Sequence, residues 1–299
     1  MRILQINASY GIGSTGNQTK ILHENLKKLG HESFVVAGVT DRSVETDKNI
    51  FVPCKRLTKR LNGFKARISG NQNNLAVNST KRILKLLKQI KPDVIQVGNI
   101  HANFVSLQML LEYIAENDIA LVVVLHDCWL FTGKCTNYID ENCYGWQKNC
   151  GNCPKLQKDI PSWLFDKTER MLKEKKRLFD KVKKLTVVGV SEKITEDARN
   201  SYVFGGRNCT CIPNVTDDTI FFAENRQKDD DVTVIAGVAY EWSEYKGINQ
   251  FIELGKLCSE HYGDKVLIRL AGNFRNLDNK TVDDLNSSGV EMTGFLSQN

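Results

Sequence analysis

An unbroken apolar run, Ile119-Ala-Leu-Val-Val-Val-Leu125, is followed at once by His126-Asp127-Cys128-Trp129. Six β-branched or aliphatic residues around one Ala ask for burial on both faces, the requirement of a central strand in a parallel sheet. Ligands of open α/β sheets bind outside the carboxyl ends of the strands. Polar residues directly after such a strand are therefore site candidates, and His126 marks the expected functional edge of the fold.

The rest of the chain alternates around that strand. Strand patterns at Arg2–Asn7, Ser33–Ala37, Val94–Val97, Leu185–Val190 and Cys209–Pro213 are interleaved with helical patterns. The helices are expected at Gly16–Leu29, Ser79–Ile90, Asn103–Ala115, Trp163–Val182 and from Ser191 to Asn200, with Asn103 and Ser191 as caps. This spacing predicts an α/β, doubly wound parallel sheet. A polar, acidic break follows from Asn214 to Asp231, with Phe221-Phe222 as an apolar anchor. The alternation then restarts at Val232–Gly237, Gly247–His261, Val266–Ala271, Thr281–Leu285 and Val290–Thr293. Two domains are expected, 1–215 and 216–299, the second only about half of an ordinary domain and ending just after a strand, which reads as a truncated chain.

The N-terminus enters a strand directly and lacks the apolar stretch and cleavage site of a signal peptide. No apolar run approaches the roughly 20 residues needed to span a bilayer, so a cytoplasmic protein is expected. Net charge is +6, and its placement is uneven: from Cys54 to Lys91 stand eleven Lys and Arg with no Asp or Glu. One reading is a solvated helical face. The other is a patch for an anionic partner. Leu57, Leu61, Phe64 and Ile68 recur at helical spacing among those charges, the pattern of an amphipathic helix on acidic lipid. Stacking aromatics are nearly absent there, so no nucleic acid is expected.

Gly11-Ile-Gly13-Ser14-Thr15-Gly16 follows the first strand and opens a helix, where backbone N–H groups attract phosphate. The string also matches a dinucleotide fingerprint. However, its loop is long, and the acidic residue expected at the end of the second strand is replaced by Asp41, a few residues late. Phosphate binding, dinucleotide binding and a plain structural turn all stay open. His101 and His126 share a topological address at strand ends; either can be structural or can face sugar hydroxyls or developing charge. Cys135, Cys143, Cys150 and Cys153 have spacings that allow a structural zinc, free thiols or disulfides. Ser191 can be a cap alone, and Ile212-Pro213-Asn214 a simple turn. In the second domain Gly237 to Gly247 delivers Lys246 to a helix start, where a cation suits a diphosphate leaving group.

Taken together, Gly13-Ser-Thr-Gly16, Asn99-Ile-His101, His126-Asp-Cys-Trp-Leu-Phe-Thr-Gly133, Cys143…Trp146…Cys150-Gly-Asn-Cys153-Pro154, Val190-Ser191, Ile212-Pro213-Asn214 and Trp242…Lys246-Gly247 resemble a family-4 retaining glycosyltransferase of the GT-B fold. The likeness is to bacterial capsular and exopolysaccharide transferases of the colanic-acid type. It implies two Rossmann-like domains, the second incomplete, with a UDP- or GDP-sugar between them and no divalent metal needed for catalysis. It further implies catalytic roles for His101 and Lys246. Donor contacts would come from Gly13, Ser14, Thr15, Gly16, His126, Ser191, Asn214, Lys246 and Gly272. The implied partners are a lipid-linked saccharide acceptor and, through the basic segment, the anionic inner face of the plasma membrane. Two departures stand out. Tyr245 occupies a position where related sequences often carry Arg, and the family's acidic donor-gripping segment is expected beyond residue 299. A non-catalytic fragment that binds donor, lipid or a partner is the alternative, and a zinc-containing nucleic-acid-binding protein a third reading.

Overall fold

A computed structural model describes residues 1–41, 47–216, 222 and 232–296. The chain divides into two compact units, Met1–Ile220 and Phe221–Asn299. Most of the acidic break, with Phe221, lies outside the described residues, and Phe222 is exposed.

The first unit is a seven-stranded sheet, wholly parallel. Its strands are β1 (Arg2–Asn7), β2 (Glu32–Ala37), β3 (Ile50–Phe51), β4 (Val94–Val97), β5 (Ala120–Leu125), β6 (Leu185–Gly189) and β7 (Cys209–Cys211). They lie in the order β3-β2-β1-β4-β5-β6-β7. The helices are α1 (Gly13–Lys28), α2 (Arg56–Ser69), α3 (Val77–Ile90), α4 (Leu107–Glu116), α5 (Thr168–Asp180) and α6 (Glu192–Asn200). Strand order reverses between β1 and β4, so the loops leaving their carboxyl ends diverge and open a crevice at the switch point.

Alternation explains the layers. Along β5, Leu121, Val123 and Leu125 are buried in the main core with Ile95, Val97, Leu110 and Leu178. Val122 and Val124 point the other way, are only half-buried, and line a cleft beside α1. Burial on both faces, expected from the unbroken apolar run, is thus complete on one face only.

Local chemistry moved several helix boundaries. Helix α1 begins at Gly13, not Gly16, because Gly11 and Gly13 adopt positive φ (67° and 65°) and turn the chain early. Asn103 does not cap α4. It sits in the loop with φ 57°, and Ser106 caps the helix by accepting from the Met109 N–H. Ser191 does cap α6, accepting from the Ile194 N–H. Trp163, Leu164 and Phe165 stay outside α5, which starts at Thr168 behind Asp166, whose carboxylate accepts from the Thr168 N–H.

The second unit is a three-stranded parallel sheet of β8 (Thr233–Glu241), β9 (Val266–Asn273) and β10 (Val290–Gly294), in the order β10-β9-β8. Helices α7 (Ile248–Tyr262) and α8 (Asn279–Ser287) contribute Ile248, Ile252, Cys258 and Leu285 to its core. Trp242 anchors that core: its ring meets Phe251 edge-on, and its indole N–H donates to the Ala271 carbonyl at 3.1 Å.

Candidate active site

The switch-point crevice is organised by one buried amide. Asn7, at the end of β1, donates from Nδ2 to the carbonyls of Ser9 (2.9 Å) and Thr15 (3.2 Å) and to Thr19 Oγ1 (2.9 Å). Its Oδ1 accepts from the Asn99 N–H at 2.8 Å. The loop after β1, the first turn of α1 and the loop after β4 are therefore tied by one side chain. A Cβ on Gly98 would come within 2.9 Å of that Oδ1, so the β4 loop needs glycine at this point. Gly16 is likewise packed tightly, with Ser9 Oγ 2.8 Å from where its Cβ would stand. The N-terminus of α1 carries no side-chain cap, and Gly13 and Ser14 are exposed. Their amide groups are open to an anion, with the helix dipole behind them.

Beside this crevice, between α1 and the exposed face of β4–β6, lies a cleft of about 320 Å³. Its walls include Asn7, Gln18, Gly98, His126, Val190 and Asn214. Gln18 fixes one rim by exchanging two hydrogen bonds with Val215, donating to its carbonyl (2.8 Å) and accepting from its N–H (3.1 Å). Burial lowers the pKa of His126 despite the neighbouring Asp127 charge, so the imidazole is held toward its neutral form. Of the residues singled out in the sequence, His126 and Asn214 reach this cleft. Gly13–Gly16 lie at the crevice beside it, and Ser191 is occupied as a helix cap.

His101 projects from the β4 loop and meets Asp127, the residue after His126, with Nε2 at 3.0 Å from Oδ2. Oδ1 of the same carboxylate accepts from the Trp129 N–H at 2.9 Å, which holds Asp127 in place. Asp127 stands in the sequence as a polar residue directly after the strand, and its role becomes legible only with His101 beside it. A neutral imidazole that donates Nε2–H to Asp127 presents Nδ1 as an acceptor. Asp127→Asn should therefore loosen the orientation of the His101 ring, seen as shifted His101 imidazole resonances at unchanged far-UV circular dichroism, and unmoved resonances would remove Asp127 from that role.

The cysteine-rich segment after β5, whose spacings allow a structural zinc, free thiols or disulfides, is held by other side chains. Among the described residues, no group of three or more His, Cys, Asp or Glu side chains is gathered closely enough to hold a metal ion. Cys135, Cys143, Cys150 and Cys153 are free thiols, so the zinc assignment is not supported. Burial pushes the Cys150 thiol up to about 12 and raises Cys135 and Cys153 as well. Three buried lysines do the holding. Lys175, from α5, donates to the carbonyls of Trp129 (2.5 Å), Thr132 (2.9 Å) and Gly133 (3.4 Å) and sits 3.8 Å from the Trp129 ring centre. Lys134 donates to the Lys158 and Ile160 carbonyls, and Lys155 to the Asn137 carbonyl and the Asp140 carboxylate. These ammonium groups satisfy carbonyls that no helix or strand pairs.

In the second unit, Lys246 ends a short 3-10 turn and is exposed. It is followed by Gly247 at φ 78°, which starts α7. Gly272, at φ 139°, lies where β9 leaves the sheet; a Cβ there would stand 1.9 Å from the Ala239 carbonyl oxygen. Its neighbours Tyr240, Asn273, Phe274 and Arg275 line a second concavity with it.

The sequence pattern of Glycosyltransferase Family 4 matches residues 15–219, the stretch that carries the loops after β4, β5 and β6 just described. The chain belongs to glycosyltransferase family 4. Within the family it is similar to WcaC of Escherichia coli (strain K12), named for glycosyl transfer in colanic acid biosynthesis, with 26% identity over 233 residues. That alignment covers 73% of the chain and 55% of WcaC, so the chain spans about half the length of this relative. Similar solved structures include TarM (TM-score 0.60, 10% identity, 99% of the chain and 77% of TarM). They also include WaaG, a glycosyltransferase involved in lipopolysaccharide biosynthesis (TM-score 0.59, 12% identity, 99% and 70%). Sucrose-phosphate synthase of Thermosynechococcus elongatus is a third (TM-score 0.55, 11% identity, 99% and 71%). The fold is that of the GT-B glycosyltransferases.

Proposed function

We propose that this chain serves sugar transfer from a nucleotide-sugar to a lipid-linked polysaccharide precursor, with retention of configuration. The observation that carries this reading is the family match over residues 15–219, which includes Thr15 and Asn99, both held by Asn7, and the His101–Asp127 pair. In the proposed reaction, the amides of Gly13, Ser14, Thr15 and Gly16 lie near the donor diphosphate, with the α1 dipole favouring its charge. His126, Ser191 and Asn214 border the donor, and Gly272 lets the backbone come close to it. His101, oriented by Asp127, accepts a hydrogen bond from the acceptor hydroxyl as that oxygen attacks the anomeric carbon. The attack takes the face that the nucleotide leaves. Lys246 compensates the charge growing on the departing diphosphate.

A UDP- or GDP-sugar is the donor class, and transferases of this kind take no part of their charge compensation from a resident cofactor. No helix among the described residues is long and apolar enough to cross a membrane. A lipid-linked acceptor would then be met at the inner membrane face by a peripheral enzyme.

Incubating the chain with UDP- and GDP-hexoses and a lipid-linked saccharide acceptor tests the proposal. Release of nucleoside diphosphate with a lengthened acceptor is the expected result. Donor binding by calorimetry without release would favour a binding role, and absence of both would end the transferase reading.

A further inference from the structure

The cleft between α1 and the sheet reaches well below the strand ends. Asn7, Gly98 and His126 stand at its mouth, and Gln5, Gln96 and Val122 face it further back along the same strands. At about 3.3 Å per residue, the inner three lie about 7 Å or more from the mouth. Gln5 and Gln96 are register partners on β1 and β4, so two carboxamides lie side by side on the cleft floor.

The floor carries an unmet demand. Gln5 is only 1% exposed, and its Nε2 donates to the Thr19 carbonyl of α1 at 3.4 Å, which settles the two ends of the amide. Its Oε1 then has no donor among the described residues. Buried acceptors are nearly always paired, because an unpaired one bears its full desolvation cost. The walls around it are hydrocarbon, with Val122, Val124 and Val188 on the sheet and Leu22 on α1. Among the described residues that line the cleft there is no Lys, Arg, Asp or Glu, and burial holds His126 toward its neutral form. A diphosphate would meet no cation here. A saccharide would set a hydroxyl on nearly every carbon against valines and leave most of them unpaired.

We infer that the inner half of this cleft binds an uncharged, largely apolar small molecule that carries a hydrogen-bond donor, which Gln5 Oε1 accepts. The valine and leucine walls take the ligand's apolar surface out of water, and its N–H or O–H supplies what the carboxamide lacks. The whole cleft, at about 320 Å³, has the size of a small-molecule site. The inference does not rest on sugar transfer. The two sites are nonetheless neighbours: α1 walls the cleft and presents Gly13 and Ser14 at the crevice, so a ligand lodged against α1 would stiffen the helix that offers those amides.

The test uses the full chain and no sugar nucleotide. Indole, a flat apolar ring system with one N–H donor, should bind saturably and shift the Gln5 side-chain amide in proton–nitrogen correlation spectra. Benzofuran has the same shape with an oxygen in place of the N–H, and should bind at least about fivefold more weakly. Indole-3-carboxylate should bind at least roughly tenfold more weakly than indole-3-carboxamide, its uncharged counterpart. Gln5→Leu should abolish the preference for indole over benzofuran, and Val124→Phe, which narrows the cleft, should weaken both, each at unchanged far-UV circular dichroism. If Gln5→Leu does not fold, the wild-type ratios decide alone. No saturable binding of either neutral ring, equal affinity for indole and benzofuran, or equal affinity for the carboxylate and the carboxamide would overturn the inference. So would a donor preference that survives Gln5→Leu, or displacement of indole by UDP alone, which would give the cleft to a nucleotide. Because binding is read without turnover, failure of sugar transfer would leave this result standing.

Discussion

Lys175→Met should destabilise the first unit by about 3 kcal/mol, because it leaves the buried carbonyls of Trp129, Thr132 and Gly133 without their donor. Methionine fills similar volume, so the loss is polar rather than steric. Equilibrium urea unfolding followed by far-UV circular dichroism measures it. The cost should also depend on pH. Burial pushes Lys175 down to about 7, well under the ordinary lysine value. Between pH 7 and 10 the unfolded chain therefore binds more protons at this residue than the native one, and native stability gains as pH rises. The variant lacks this gain. Its deficit relative to wild type should grow from pH 7 to pH 9 by up to about 1 kcal/mol per pH unit. Cys150→Ser, by contrast, should cost no more than about 1 kcal/mol and should not change metal content. A loss of bound zinc with a collapse in stability would restore the metal-centred view of this loop.

In an assay of the proposed transfer, Lys246→Ala should lower turnover tenfold or more, a cost on the order of 2 kcal/mol. The effect should fall on kcat more than on the donor KM, because the diphosphate gains charge only as the sugar leaves. Lys246→Arg should recover part of the rate, since charge is kept while reach and geometry change. Position favours this role: the side chain ends a turn at the start of α7, where amide groups and an ammonium can share one anion. Unchanged kinetics in the alanine variant would take Lys246 out of the site.

Periodicity carried the layers of the fold, and side-chain environment carried what periodicity missed. Strand and helix alternation made the parallel sheet legible, because apolar runs of strand length joined by helical patterns admit few arrangements. The stripe Leu57, Leu61, Phe64 and Ile68 was also legible as a helix face turned outward, although Ile68 is half-buried. Which face of α2 is buried depends on Asn62 meeting Asn103, a contact across 41 positions. The four cysteines looked like a ligand set because spacing is visible in a sequence, while the lysines that hold the loop come partly from elsewhere. Lys175 alone reaches back more than forty positions. Asp127 and Asn7 were given no role because each is an ordinary polar residue until its partners are known. Asn103 was misread as a cap since Asn suits both caps and left-handed turns, and here Ser106 took the cap. His126 was marked from its place at a strand end and Asn214 through the family resemblance, and the fold brings both to one cleft.

The Asn7 carboxamide has a mechanical consequence. Because one planar group grips the start of α1 with its nitrogen and the strand-four loop with its oxygen, displacing either loop misaligns the bonds to the other. An anion that settles on the helix start would thereby restrict the histidine-bearing loop as well. Occupancy at one station would lessen the entropy still to be lost at the next, so a ligand on the helix start would favour retention of one held by the histidine loop.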